Sequence, residues 1–226
     1  GIHRACERQL VRIGEPVCMH CGKPVESESY EYCYDCRRDM ASQVVSFCQG
    51  KALYLYQGPM KKAMYRFKYS NKREYGEWIA REWVKCYGTW IMERHIEAII
   101  PVPMYLPQES KRGYNQAAVL AKWLVEVLAE TAESTGLKRH MVPCYEPHLV
   151  KRVINTRPMK ELCDVERKNN LKNALQTGEK VLKYKRILVI DDIYTTGSTM
   201  NAVSEVLYLA GVQEVYTLSV CIGRGL

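Results

Sequence analysis

The 226-residue sequence predicts an α/β fold, a parallel sheet flanked by helices, preceded by a small four-cysteine module. Three observations carry this prediction. Short aliphatic runs alternate with amphipathic helical stretches over about 130 residues, the pattern of strands and helices in a parallel sheet. Four cysteines stand in two Cys-x-x-Cys pairs, Cys18/Cys21 and Cys33/Cys36, inside a segment poor in aliphatics. The length suits one medium domain with a small appendage. The expected division is a cysteine module over 1–46 and an α/β domain over 47–226.

Composition narrows the class. With 47% hydrophobic and 26% charged residues, the chain can build a packed core and is not expected to be disordered. The longest apolar runs, such as Ile187–Ile190, are far too short to span a membrane, so no membrane insertion is expected. Ten cysteines are few for a disulfide scaffold of this length, and six of them (Cys6, Cys48, Cys86, Cys144, Cys163, Cys221) are scattered singly. That usage fits a cytoplasmic protein with one metal site and several ordinary thiols.

Residues 14–40 are rich in Cys, Gly, Pro and charge, and cannot bury a core unaided. A Cys-x-x-Cys turn presents two thiolates to one ion, and a second turn completes a tetrahedral Zn2+ shell. Cys18, Cys21, Cys33 and Cys36 are therefore the expected ligands, with Gly22 suiting the tight knuckle and metal binding coupled to folding. The competing reading is four buried or redox-active thiols. His20, inside the first pair, is not expected to ligate.

Residues 60–90 alternate charged and aromatic residues at helical spacing. Ile96–Val102 reads as a buried strand ending in Pro101-Val102-Pro103. Asn115–Glu130 places Val119, Leu120, Trp123, Leu124, Val127 and Leu128 on one helical face, with Asn115 and Gln116 suited to capping as well as to a site. Val153-Ile154 reads as a short strand before a polar loop from Asn155 to about Lys172. Arg186–Ile190 is a strand, Thr199–Ala210 a helix ended by Gly211, and Val215–Cys221 a final strand.

The most informative segment runs from Arg186 to Thr199: a buried strand, Asp191 and Asp192 at its tip, Ile193 and Tyr194, then Thr195, Thr196, Gly197, Ser198 and Thr199 opening a helix. Backbone N–H groups, hydroxyls and the helix N-terminus make such a loop a cradle for phosphate. The two carboxylates would repel that phosphate but can bind hydroxyls beside it, or a cation. A ribose 5-phosphate satisfies both halves.

This segment resembles the phosphoribosyl pyrophosphate (PRPP) motif of type I phosphoribosyltransferases. The wider chain resembles the ComF family of competence-associated proteins, whose core is of that type behind an N-terminal zinc ribbon. The resemblance runs through the paired cysteines, Tyr56–Met60 with Arg66–Tyr69, Pro101–Pro103 with Lys111–Ala117, Asn155–Pro158 with Glu166–Leu171, and the PRPP motif. It implies that Asp191 and Asp192 bind the ribose hydroxyls and that Thr195 to Thr199 bind the 5-phosphate. It implies a pyrophosphate loop at Val102 and Pro103 with Arg112, and a flexible loop over 155–172 carrying Arg157, Arg167 and Lys172. Mg2+ would accompany PRPP, and phosphoribosyl transfer to an acceptor the sequence does not specify is the implied enzymatic role. The chain ends five residues after Cys221, so the zinc module and residues 47–70 are expected to cover the site.

The formal net charge is +8. Residues 1–50 hold six Lys/Arg against seven Asp/Glu, so the excess lies in the α/β domain, around Lys61–Arg73 and 137–186. The stretch Lys61–Tyr75 interleaves Lys61, Lys62, Arg66, Lys68, Lys72 and Arg73 with four aromatics. Cations with rings for stacking suit single-stranded DNA. An amphipathic helix with its rings on the sheet and its cations in solvent suits the same pattern. The family resemblance favours DNA, since ComF proteins are linked to uptake of single-stranded DNA in natural transformation beside a competence helicase. Three expectations follow: a PRPP-binding protein in DNA uptake, a single-stranded-DNA-binding accessory on a recycled fold, and an adaptor whose zinc module docks the helicase.

Overall fold

The computed structural model describes residues 7–136, 138–154 and 174–224. The whole of the predicted loop over 155–172, with Arg157, Arg167 and Lys172, lies outside these residues, as do Cys6 and Cys163.

Helix α1 (Tyr34–Ala41) starts within the second cysteine pair, with Cys33 at its N-cap and Cys36 on its buried side. Strand β1 (Gln49–Leu55) leads into two helices, α2 (Gly58–Tyr69) and α3 (Tyr75–Glu93). Asn71, with φ 51°, turns the chain between them. Strand β2 (Ala98–Pro101), a short α4 (Leu106–Arg112) and the long α5 (Gln116–Thr135) follow. Helix α5 outruns its predicted end and stops at Gly136, which closes it in the left-handed region; on the way Thr131 and Thr135 turn their hydroxyls to carbonyls of the preceding turn.

Two short strands, β3 (Cys144–Tyr145) and β4 (Val150–Arg152), precede β5 (Leu175–Thr177). The predicted strand at Val153-Ile154 is displaced. Val150 is the buried residue and pairs with Thr177, whereas Val153 and Ile154 are exposed. The chain closes with β6 (Arg186–Tyr194), α6 (Ser198–Leu209) and β7 (Glu214–Ile222).

Five strands form one parallel sheet in the order β1-β7-β6-β2-β3, and β4 pairs with β5 as an antiparallel ribbon. Helices α2, α3 and α5 cover one face, where Trp83, Leu120 and Leu124 meet Leu188 and Ile190. Helix α6 and the cysteine module cover the other, where Met200 and Val203 meet Ile187 and Val189. Helices α3 and α5 approach closely at Gly76, where a Cβ would lie 2.8 Å from Trp123.

After β2 the chain steps outward to β3, then returns to the opposite side of β2 to form β6. The carboxyl ends of β2 and β6 therefore flank the point where the winding reverses, which opens a crevice in such sheets. Val102 follows one of these ends, and Asp191 and Asp192 lie near the other.

Candidate functional site

The cysteine module is built by two knuckles. Gly22, with φ 76°, lets the Lys23 carbonyl accept from Cys18 N–H and the Cys18 carbonyl accept from Gly22 N–H. Cys33 begins α1, whose first turn brings Cys36 back beside it. The four sulfurs lie within 4.8 Å of one another, and all four thiols are buried and unbridged. Four thiolates about 2.3 Å from a common centre would hold one Zn2+ ion, and this cluster has the donor set for it. His20 supports the cluster from outside the set: its Nδ1 lies 3.2 Å from Cys36 Sγ, its Nε2 donates to the Phe47 carbonyl, and its ring stacks on Phe47. The buried Lys23 pairs with Asp35 between the knuckles.

The module shares its core with the sheet. Phe47 lies between the His20 ring and Tyr194, the last residue of β6. On α6, Asn201 accepts from Ser46 Oγ at 2.6 Å and donates to Asp39 Oδ2.

At the switch point lies a cleft of about 420 Å³. One side is the loop after β6. Gly197 takes φ 83°, and a Cβ there would press on the Tyr194 hydroxyl. No side chain caps α6, so its first-turn N–H groups face the loop as an anion cradle. Thr195 and Thr199 line the cleft. Thr196 and Ser198, joined at 3.0 Å through their hydroxyls, border a second hollow beside Arg38 and Asp39 of the cysteine module.

Asp191 and Asp192 form the floor. Asp192 is buried, and its N–H donates to Asp191 Oδ1 at 2.8 Å. Burial, then the charge of Asp192, pushes the Asp191 carboxyl well above the usual carboxylate range. Lys68, from the end of α2, reaches Asp192 Oδ2 at 2.8 Å. Burial alone would pull the Lys68 ammonium down, but the Asp192 carboxylate outweighs it and holds the ammonium above its ordinary value.

The facing wall is held by three consecutive residues. Tyr114 donates its hydroxyl to the Phe67 carbonyl, Asn115 donates to the Val102 carbonyl at 3.0 Å, and Gln116 donates to the Lys68 carbonyl. Asn115 also caps α5 through the Ala117 N–H, so it fills both roles read for it. Arg112 lines the cleft, bonds Gln116 and lies 5.3 Å from the Tyr69 ring centre. Arg152 enters from β4 through a bridge to Tyr105.

The cleft thus gathers Val102, Pro103, Arg112, Asp191, Asp192, Ile193, Thr195 and Thr199. Tyr194 turns its side chain to the opposite face, against Phe47. Residues 47–70 reach the cleft through Tyr56 and Lys68, whereas no described residue of the cysteine module lines it. Lys68, Arg152, Asn115 and Gln116 also line the cleft. The last two stood in the motif after β2, and Arg152 gave no signal beyond its charge.

The basic stripe divides. Met60, Met64 and Phe67 are buried, so α2 is amphipathic. Lys61, Lys62, Arg66 and Arg73 are exposed. Tyr65 and Tyr69 are also exposed, at 63% and 61%, with ring centres 5.0 Å apart, and so do not pack on the sheet. Arg73 lies over the Tyr114 ring and bonds the Gly113 carbonyl. Among the described residues, no helix is long and apolar enough to cross a membrane.

Comparison with known proteins places this geometry in a family context. Residues 2–37 match the family model described as a double zinc ribbon domain. Over 224 residues the chain is 30% identical to competence protein F of Haemophilus influenzae, covering 95% of this chain and 87% of that protein. It is 23% identical over 209 residues to competence protein ComFC of Bacillus subtilis, covering 92% and 78%. It is 25% identical over 230 residues to the DNA utilization protein YhgH of Salmonella typhimurium, covering 98% and 90%.

Proposed function

Because the chain belongs to the competence protein F family, we propose that it binds PRPP or a ribose 5-phosphate in the switch-point cleft and acts in uptake of single-stranded DNA. On this reading residues 1–46 form the zinc ribbon and residues 47–226 the binding domain. The observation that carries the proposal is convergence. A carboxylate pair and a phosphate-type loop, either of which alone would be weak, open on one cleft beside Val102 and Arg112.

In this reading the α6 N-terminus and the Thr195 and Thr199 hydroxyls hold the 5-phosphate, where developing helix charge and N–H donors favour an anion. Asp191 and Asp192 accept from the ribose hydroxyls, which fixes the sugar ring. Arg112 faces the anion carried at C1. Mg2+, when bound with PRPP, would neutralise pyrophosphate charge. Calorimetry with PRPP in Mg2+ buffer is expected to show saturable binding, lost in Asp191→Asn/Asp192→Asn. Absence of binding by the parent chain would refute it.

A second surface is supported by a separate observation. The exposed Tyr65/Tyr69 pair, with Lys61, Lys62 and Arg66 around it, offers rings for base stacking and cations for phosphates. We read this face of α2 as the contact for single-stranded DNA. Salt-sensitive gel shifts with an oligothymidylate test it.

A further inference from the structure

We propose that Lys68 is the resident cation of the carboxylate pair and a ribose-phosphate-binding residue, so that the cleft takes a ribose 5-phosphate without a divalent cation. The inference rests on the ribose-phosphate reading of the cleft. It starts from a charge problem. Two adjacent carboxylates facing one sugar repel each other and any phosphate brought near them, and a cation has to answer that charge. Lys68 already does so, with its Nζ 2.8 Å from Asp192 Oδ2.

The placement is built rather than incidental. The Lys68 side chain is 23% exposed and the Asp192 side chain 9%, so the pair is largely withdrawn from solvent. The backbone that carries Lys68 is fixed by two donors from the start of α5, Tyr114 to the Phe67 carbonyl and Gln116 to the Lys68 carbonyl. Apart from the Lys68 ammonium, the buried Asp192 Oδ2 accepts no hydrogen bond among the described residues. A carboxylate oxygen can accept more than one hydrogen bond, so beside the ammonium this oxygen keeps the capacity to take a ligand hydroxyl. Arg112 lines the same cleft, close enough for its charge to act on Lys68, and Gln116 bonds both residues, so two cations meet the carboxylate pair in one cleft.

The test is calorimetry of the full chain with ribose 5-phosphate, in EDTA and then in Mg2+. The parent chain is expected to bind in EDTA. Lys68→Gln should weaken that binding by about tenfold or more, as expected for loss of a charged partner. Added Mg2+ should restore much of the loss, and Lys68→Arg should bind like the parent. A purely structural role for Lys68 would not be repaired by Mg2+. Parent-chain binding that appears only with Mg2+ would overturn the inference and leave the cleft's ribose-phosphate reading standing, as would equal binding by Lys68→Gln in EDTA. The parent measurement decides this even if Lys68→Gln fails to fold. Failure of the parent chain to bind ribose 5-phosphate or PRPP in either buffer would overturn the underlying reading and this inference together.

Discussion

Asn201, in the first turn of α6, donates to Asp39 of the cysteine-module helix at 3.2 Å. The same side chain accepts from Ser46, so the helix that follows the Thr195–Gly197 loop is tied to the module at its base. Removing both bonds strips half-buried Ser46 and Asp39 of a partner. Asn201→Ala is expected to lower stability by about 2 kcal/mol. It should also weaken ribose 5-phosphate binding several-fold, although Asn201 does not line the cleft. Chemical unfolding alongside calorimetry reads both. Loss of stability with unchanged affinity would show that the tie does not reach the loop.

The four-cysteine centre leads to a related expectation. Its sulfurs belong to the same buried cluster as Phe47, Leu55 and Val203. Cys33→Ser should abolish stoichiometric zinc, measured by metal analysis at one ion per parent chain. The melting temperature should fall on the order of 10 °C, because metal binding is folding free energy in such modules. A metal-free variant melting with the parent would show that the cluster stands without the ion.

Gly197 takes a left-handed φ, and the space its Cβ would need is held by the Tyr194 hydroxyl. Gly197→Ala is therefore expected to cost about 1–3 kcal/mol and to reduce ribose 5-phosphate affinity sharply. Gly197→Ala/Tyr194→Phe should recover part of the stability, because the clashing hydroxyl is gone. Thermal melts of the two variants decide it; no recovery would mean that the backbone strain alone carries the cost.

Asp191 gives a pH signature. Its carboxyl is held well above the ordinary range, so the folded state disfavours its ionised form. The resulting penalty is absent below about pH 4, where both states are protonated, grows from there up to the raised native value, and is constant above it. Asp191→Asn should therefore melt higher than the parent at pH 7–8, by ~2–4 °C for each kcal/mol relieved. The gap should close toward pH 4, while ligand binding is lost throughout. A variant less stable than the parent at every pH would contradict this sign.

On α2, rings and charges should separate experimentally. Tyr65→Ala and Tyr69→Ala are expected to weaken oligothymidylate binding by about 1–3 kcal/mol per lost stack with little change in salt dependence. Lys62→Gln should instead reduce the salt slope by about one unit. Titrations at three salt concentrations distinguish the two classes, and identical slopes across all variants would remove the cations from the contact.

Local chemistry was legible in the sequence, and long-range placement was not. The cysteine pairs and the run from Arg186 to Thr199 declare themselves because spacing within one knuckle or one strand-turn-helix fixes their geometry. Lys68 read as part of a surface stripe, since nothing near it in sequence announces Asp192 as its partner. Tyr194 misled for a different reason. The alternation set by Leu188 and Ile190 changes phase across the two aspartates, so Ile193 packs with that face and Tyr194 with the Ile187–Val189 face. Asn115 was legible as a cap, but its bond to Val102 depends on how α5 meets the end of β2.

Tyr114, Asn115 and Gln116 each hold a different backbone carbonyl. Tyr114 and Asn115 precede α5 and Gln116 opens it, so the threefold grip depends on these residues keeping their places immediately ahead of the helix. Substitution can remove one hold at a time. Inserting or deleting a residue among them would break their register with these carbonyls, loosening α2, the turn after β2 and Lys68 in one step. The segment is locked in length rather than in composition, and an engineer or a lineage altering this cleft has to do so side chain by side chain.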